Sequence, residues 1–183
     1  MIDPRGPLLV LGIGNILLGD DGVGVRVVDA IRELVGRGEV ALPSGTRLVD
    51  GGTRGRDLLP WLDEARAVLL VDAVDLDGPP GMVRVLRRPD LVPTPTGGVA
   101  THSTGVGDLL TAARTAGVLP DAVAMVGVRP AALDTGLDLS EAVRAALPAA
   151  VATTIDELHR LAAFASSTDG RGRPSHGPAG ATA

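Results

Sequence analysis

Four runs rich in apolar residues, at 8–13, 46–49, 67–71 and 122–128, are too short for helices, and helical periodicity fills much of the chain between them. That alternation constrains the fold more than any other feature. Strands and helices in turn imply a sheet covered by helices on both faces, with ligands bound beyond the carboxyl ends of the strands. The 67–71 run is apolar without interruption and reads as a buried central strand. Val27, Val28, Ile31, Leu34 and Val35 recur at helical spacing, as do Val106, Leu109, Leu110 and Ala113. After the turn Asp77-Gly78-Pro79-Pro80-Gly81, Met82, Val83, Val85 and Leu86 suggest a further strand. Residues 89–100, with three prolines and two glycines, read as a loop. A last helical region covers 139–164, where Pro148 either kinks one helix or starts another.

These elements predict an α/β fold: one domain over 1–165, a five-stranded, twisted, mostly parallel sheet sandwiched between helices. Residues 166–183 are mostly Gly, Pro, Ser, Thr and Arg with no apolar period, and a disordered tail is expected there. Trp61 and Phe164 are the only aromatic residues, so the core must be built from Val, Leu, Ile and Ala. A formal net charge of -5 argues against a nucleic-acid partner. The absence of cysteine excludes disulfides, thiolate ligands and a Cys nucleophile. No stretch reaches the ~18 apolar residues of a membrane helix, and a cytoplasmic monomer is expected.

The polar residues at the ends of the runs are the chemical candidates. Asp20 and Asp21 follow the first strand, Asp50 ends the second, Asp72 ends the third, and His102 precedes the helix that begins near Val106. One of the adjacent aspartates suffices to cap the first helix. Asp20 is assigned that role and Asp21 is reserved as a ligand, although the spacing leaves the division open. A carboxylate at Asp72, closing the most apolar strand, is either exposed or engaged in function, because burying it unpartnered costs several kcal/mol. Asp75 competes with it but sits nearer a turn. A neutral imidazole at His102 suits a metal, yet a lone His at a helix start is more often structural than catalytic. Asp50-Gly51-Gly52-Thr53 is read as a tight turn. Thr53 is a candidate cap for a short helix, and the two glycines are candidates for close approach to a peptide. Gly12-Ile13-Gly14-Asn15-Ile16-Leu17 starts like a dinucleotide fingerprint, but Leu17 stands where the third glycine belongs, and Asp20 and Asp21 would repel a pyrophosphate.

Beyond these readings, Gly12-Ile13-Gly14-Asn15-Ile16-Leu17-Leu18-Gly19-Asp20-Asp21-Gly22-Val23-Gly24 resembles the opening motif of the hydrogenase maturation proteases. The resemblance continues at Asp50-Gly51-Gly52-Thr53-Arg54-Gly55, Val71-Asp72-Ala73, His102, Val126-Gly127-Val128-Arg129-Pro130 and Leu139-Ser140-Glu141-Ala142-Val143. It implies an endopeptidase that removes the C-terminal extension of a nickel-iron hydrogenase large-subunit precursor after nickel insertion. It also implies a metal-binding and catalytic triad at Asp21, Asp72 and His102, with Asp50, Gly51, Gly52 and Thr53 supporting the substrate. The implied metal is nickel supplied by the substrate, for which zinc or cadmium substitutes in vitro. Some members carry glutamate where this chain has Asp21. The competing expectations are a zinc-dependent hydrolase of the same fold and a non-catalytic checkpoint that binds nickel or precursor without cutting.

Overall fold

A computed structural model describes residues 6–88, 91 and 104–167. The predicted strands are present. They are β1 (Leu8–Ile13), β2 (Thr46–Gly52), β3 (Ala67–Ala73), β4 (Val83–Arg87) and β5 (Ala122–Val128). The helices are α1 (Val23–Gly36), α2 (Leu59–Glu64), α3 (Thr104–Thr115) and α4 (Glu141–Ser167). The sheet order is β2-β1-β3-β5-β4, parallel except for β4, which runs antiparallel to β5 at the edge. The expected loop at 89–100 falls, apart from Leu91, outside the described residues, as does the expected tail beyond Ser167. No helix among the described residues is long and apolar enough to cross a membrane.

Strand alternation divides the core in two. Leu8, Val10, Leu69, Val71, Ala124 and Val126 face α1 and α4, with Val27, Ile31, Val151 and Leu158 packed on them. Leu9, Leu11, Val68, Leu70, Val123 and Met125 face the other way, toward Leu58, Leu62, Leu109 and Leu110 on the side of α2 and α3. Both faces of the three central strands are therefore buried, which is why these strands carry few polar residues. Asp72 follows Leu70 and Val68 in alternation and so belongs to the face that carries α3.

Two expectations need correcting. Asp50-Gly51-Gly52 is not a turn but the end of β2, carried along β1 by a register shift between Gly12 and Ile13 that pairs Ile13 with Gly52. Thr53 does not cap a helix. Arg54 stands at the N-terminus of the 3-10 turn Gly55–Leu58, and neither that turn nor α2 has a side-chain cap. For Pro148 the outcome is a single helix, with Pro148 in its second turn.

Candidate active site

The chain leaves β1 to form β2 on one side and returns to place β3 on the other. The connections after β1 and β3 therefore diverge and open a crevice at the carboxyl edge of the sheet. A cavity of about 640 Å³ occupies it, with Asp21 and Asp72 both on its wall. Ile13, Leu58 and Leu109 form an apolar floor.

The β1–α1 connection explains how Asp21 gets there. Gly14 has φ 122°, outside the range that L side chains favour, and a Cβ there would run into the Asp21 carbonyl. The chain thus doubles back tightly enough for the Asn15 N–H to donate to Asp21 Oδ2 at 2.6 Å. Gly24 sits where α1 crosses the strand ends, and a Cβ there would strike the carbonyls of Val71 and Ile13. The glycines of this motif serve backbone packing, in keeping with the weak nucleotide reading.

Asp20 does not cap α1. It lies within the 3-10 turn Gly19–Gly22, which has no side-chain cap bond, and is 1% exposed. Its Oδ2 accepts from the Ala131 N–H at 2.9 Å and its Oδ1 from the Ser140 N–H at 2.7 Å. Neighbouring carboxylates in one turn thus serve different places: Asp20 the β5–α4 loop, Asp21 the cavity.

Asp72 is 1% exposed, and its Oδ1 accepts from the Ala73 N–H at 2.9 Å. It pairs in register with Gly127, which contributes no side chain beside it. Of the four predicted substrate-supporting residues, Gly52 and Thr53 line the cavity. Asp50 is exposed and not on its wall; its carbonyl accepts from Arg54 Nη2 at 2.7 Å. Gly51 is buried and not on the wall; a Cβ there would lie 2.7 Å from Ile13 Cδ1 and 3.2 Å from Leu58 Cδ1, two residues of the floor. His102 lies outside the described residues. Among those described, no three His, Asp or Glu side chains form a metal-binding group.

Sequence reasoning passed over Arg56 and Asp108, which also line the cavity. Asp108 follows Gly105 by three residues on α3, so helical period puts both on one face, and both line the cavity. Asp75, ranked below Asp72, lies on the wall too and pairs with Arg129 at 3.4 Å. The chemistry available is that of oxygen donors over an apolar floor: proton acceptors for a bound water, or hard ligands for a divalent ion.

Against known proteins, the sequence profile of the hydrogenase maturation protease family matches residues 25–157. The chain belongs to this family. The matched stretch holds Asp50, Asp72 and His102, while Asp21 precedes it. The hydrogenase expression/formation protein HupD of Rhodobacter capsulatus is 41% identical over 154 residues, covering 82% of this chain and 70% of that protein. The hydrogenase 2 maturation protease of Escherichia coli is 34% identical over 145 residues, covering 79% of this chain and 85% of that one. Among solved structures, the hydrogenase maturating endopeptidase HybD from E. coli superposes with a TM-score of 0.70 at 32% identity, covering 84% of this chain and 93% of that one. This chain thus shares its fold with a hydrogenase maturating endopeptidase of known structure.

Proposed function

We propose that this chain is an endopeptidase that removes the C-terminal extension of a nickel-iron hydrogenase large-subunit precursor once nickel has been inserted. The observation that carries the reading is the presence of Asp21 and Asp72, distant in sequence, on the wall of one cavity at the topological switch of the sheet. Family membership supplies the reaction class. Asp21, Asp72 and His102 would hold the nickel that the precursor carries, and two oxygens with one imidazole nitrogen suit a borderline divalent ion. Zinc or cadmium would fill the same place in vitro. A nickel ion held there would supply Lewis-acid polarisation of the scissile carbonyl.

The chain's own contribution is to fix the peptide over the carboxylates and to take a proton. A carboxylate within reach of a water accepts its proton as the oxygen adds to the carbonyl carbon. The C–N bond then breaks, and the proton passes to the leaving nitrogen. The apolar floor keeps bulk water away from these charges and strengthens their interactions. The partner is the precursor, met in the cytoplasm by a monomeric protease. Gly52 and Thr53, on the wall, are the members of the predicted support that can meet its C-terminal segment.

The test is to mix the purified chain with nickel-loaded and nickel-free precursor and follow the precursor by mass spectrometry. Loss of a C-terminal peptide from the loaded form alone is expected, with at least a hundredfold slower release in Asp21→Asn, Asp72→Asn and His102→Ala. Unchanged cleavage in these variants would sink the triad. Zinc held stoichiometrically by the purified chain would favour a resident-metal hydrolase, and complex formation without a mass change would favour a checkpoint protein.

A further inference from the structure

The β5–α4 loop, residues 131–140, is the outer neighbour of the cavity, and Pro130 and Leu133 form part of the cavity wall. No helix or strand lies in the loop, yet it is fastened at three places to the segment that carries Asp21 and to the α1 helix that follows it. Its first and last N–H groups, on Ala131 and Ser140, both donate to Asp20. Its middle is held by Gly136, whose N–H donates to the Leu17 carbonyl at 2.9 Å and whose carbonyl accepts from the Gly19 N–H at 2.8 Å. The third fastening is at Leu137, whose carbonyl accepts from Arg26 Nη2 at 3.0 Å. A buried carboxylate that accepts from both ends of one loop closes it like a clasp. The charge is tolerated because Ser140 opens the 27-residue α4, and the partial positive charge of that helix end faces Asp20.

The loop presents what a soluble surface normally hides. Leu133 is 54% and Leu137 60% exposed, and Ile16 and Leu17 on the facing segment are 42% and 57% exposed. These four account for most of the large exposed apolar side chains among the described residues. They sit on the two connections that Asp20 ties together, and Leu133 is itself on the cavity wall.

We propose that Asp20 is a positioning residue for substrate binding. By clasping residues 131–140 against the β1–α1 segment, it holds Leu133 and Leu137 where they contact apolar side chains of the precursor polypeptide beside the cavity. This rests on the function proposed above and separates the two adjacent aspartates: Asp21 acts on the chemistry, Asp20 on engagement of the substrate.

The test is steady-state cleavage of nickel-loaded precursor, at a temperature well below each variant's unfolding midpoint, together with cadmium titration of the full chain. An amide at position 20 offers one acceptor and one donor group to two N–H donors, so Asp20→Asn loses one clasp bond. The expected result is KM raised about fivefold or more, kcat within twofold, and cadmium affinity within twofold of wild type. The double variant Leu133→Ala/Leu137→Ala leaves the clasp intact, removes only exposed side chains and should raise KM similarly. Wild-type KM in either protein overturns the proposal. A fall in kcat together with cadmium affinity in Asp20→Asn also overturns it, because Asp20 would then belong with the metal ligands. If wild-type protein leaves the precursor uncut, the protease reading fails and the positioning role falls with it. Cutting by wild type with unaltered KM in the variants rejects the positioning role alone.

Discussion

At the scale of single residues, the absence of a side chain is as informative as its presence. Gly24 lies in α1, where alanine would by propensity be about 1 kcal/mol better. The missing Cβ outweighs this, because at that position it would meet the backbone carbonyls of Val71 and Ile13, and neither can rotate away. Gly24→Ala should therefore destabilise the fold by about 1–3 kcal/mol, the usual cost of overpacking. Gly36, at the far end of the same helix, has nothing within 4 Å of its would-be Cβ. Gly36→Ala should stabilise by roughly 0.4–1 kcal/mol, mostly through the unfolded chain. Urea titration of both variants checks the pair, with the midpoint moving in opposite directions and the slope unchanged. This level was partly legible in the sequence. The glycines of the opening motif were legible, but their packing was not, and neither was the role of Asp20, whose oxygens accept from donors at Ala131 and Ser140, more than a hundred residues away. Local rules favour Asp20 as a helix cap, and a tertiary demand overrides them.

At the scale of elements, the contrast lies between what pairs locally and what pairs across the chain. The limits of β1 and β5 coincide with the apolar runs, because a strand buried on both faces is marked by hydrophobicity alone. β2 ran three residues past its predicted end, since its last pairings depend on a register shift at Gly12 and Ile13 in another strand. The placement of β4 was likewise hidden: its alternation was visible, but not its antiparallel seat at the sheet edge. There Arg87 donates to the buried Glu157 of α4, through Nε at 2.7 Å and through Nη2, while Arg160 lies 3.5 Å from the same carboxylate. The hydrogen bond to Glu157 holds the Arg87 pKa above its ordinary value, its charge adds to this, and burial opposes it. A raised pKa means stability that is complete at neutral pH and lost only as the solution becomes strongly alkaline. Arg87→Met should cost about 1–3 kcal/mol, as for a buried polar group that loses its main partner. The cost stays below that of a fully buried pair because the Arg87 side chain is 46% exposed against 3% for Glu157. Replacing both by Met should recover much of the loss, since the desolvation of Glu157 disappears with its partner. Thermal unfolding of the single and double variants measures this.

At the scale of the whole molecule, the sheet separates stability from chemistry along its strands. The amino ends of β1, β3 and β5, at Leu8, Ala67 and Ala122, are apolar and buried, whereas the carboxyl edge carries Asp72 and the Asp21 turn around a cavity. That the cavity would open at this edge was legible from the alternation of elements, because strand order and side-chain alternation together leave a crevice there. Its full lining was not, since Arg56 and Asp108 reach it only once α3 and the 3-10 turn at Gly55–Leu58 are packed in three dimensions. The division predicts two opposite phenotypes. Leu8 is fully buried in the amino half of β1, so Leu8→Ala should lose about 2–5 kcal/mol. At roughly 2–4 °C per kcal/mol for a chain of this size, the melting temperature should fall by several degrees or more. Cleavage of precursor at 20 °C should stay within threefold, because the carboxyl edge keeps its geometry while the protein is folded. Asp72→Asn should do the reverse. The amide oxygen can still accept from the Ala73 N–H and the side chain keeps its size, so the fall in melting temperature should be smaller than that of Leu8→Ala. Processing, on the reading proposed here, should fall at least a hundredfold. Measuring both variants for melting temperature and for peptide release decides the matter: loss of activity in step with stability would mean that Asp72 serves the fold, and loss without it that it serves the reaction.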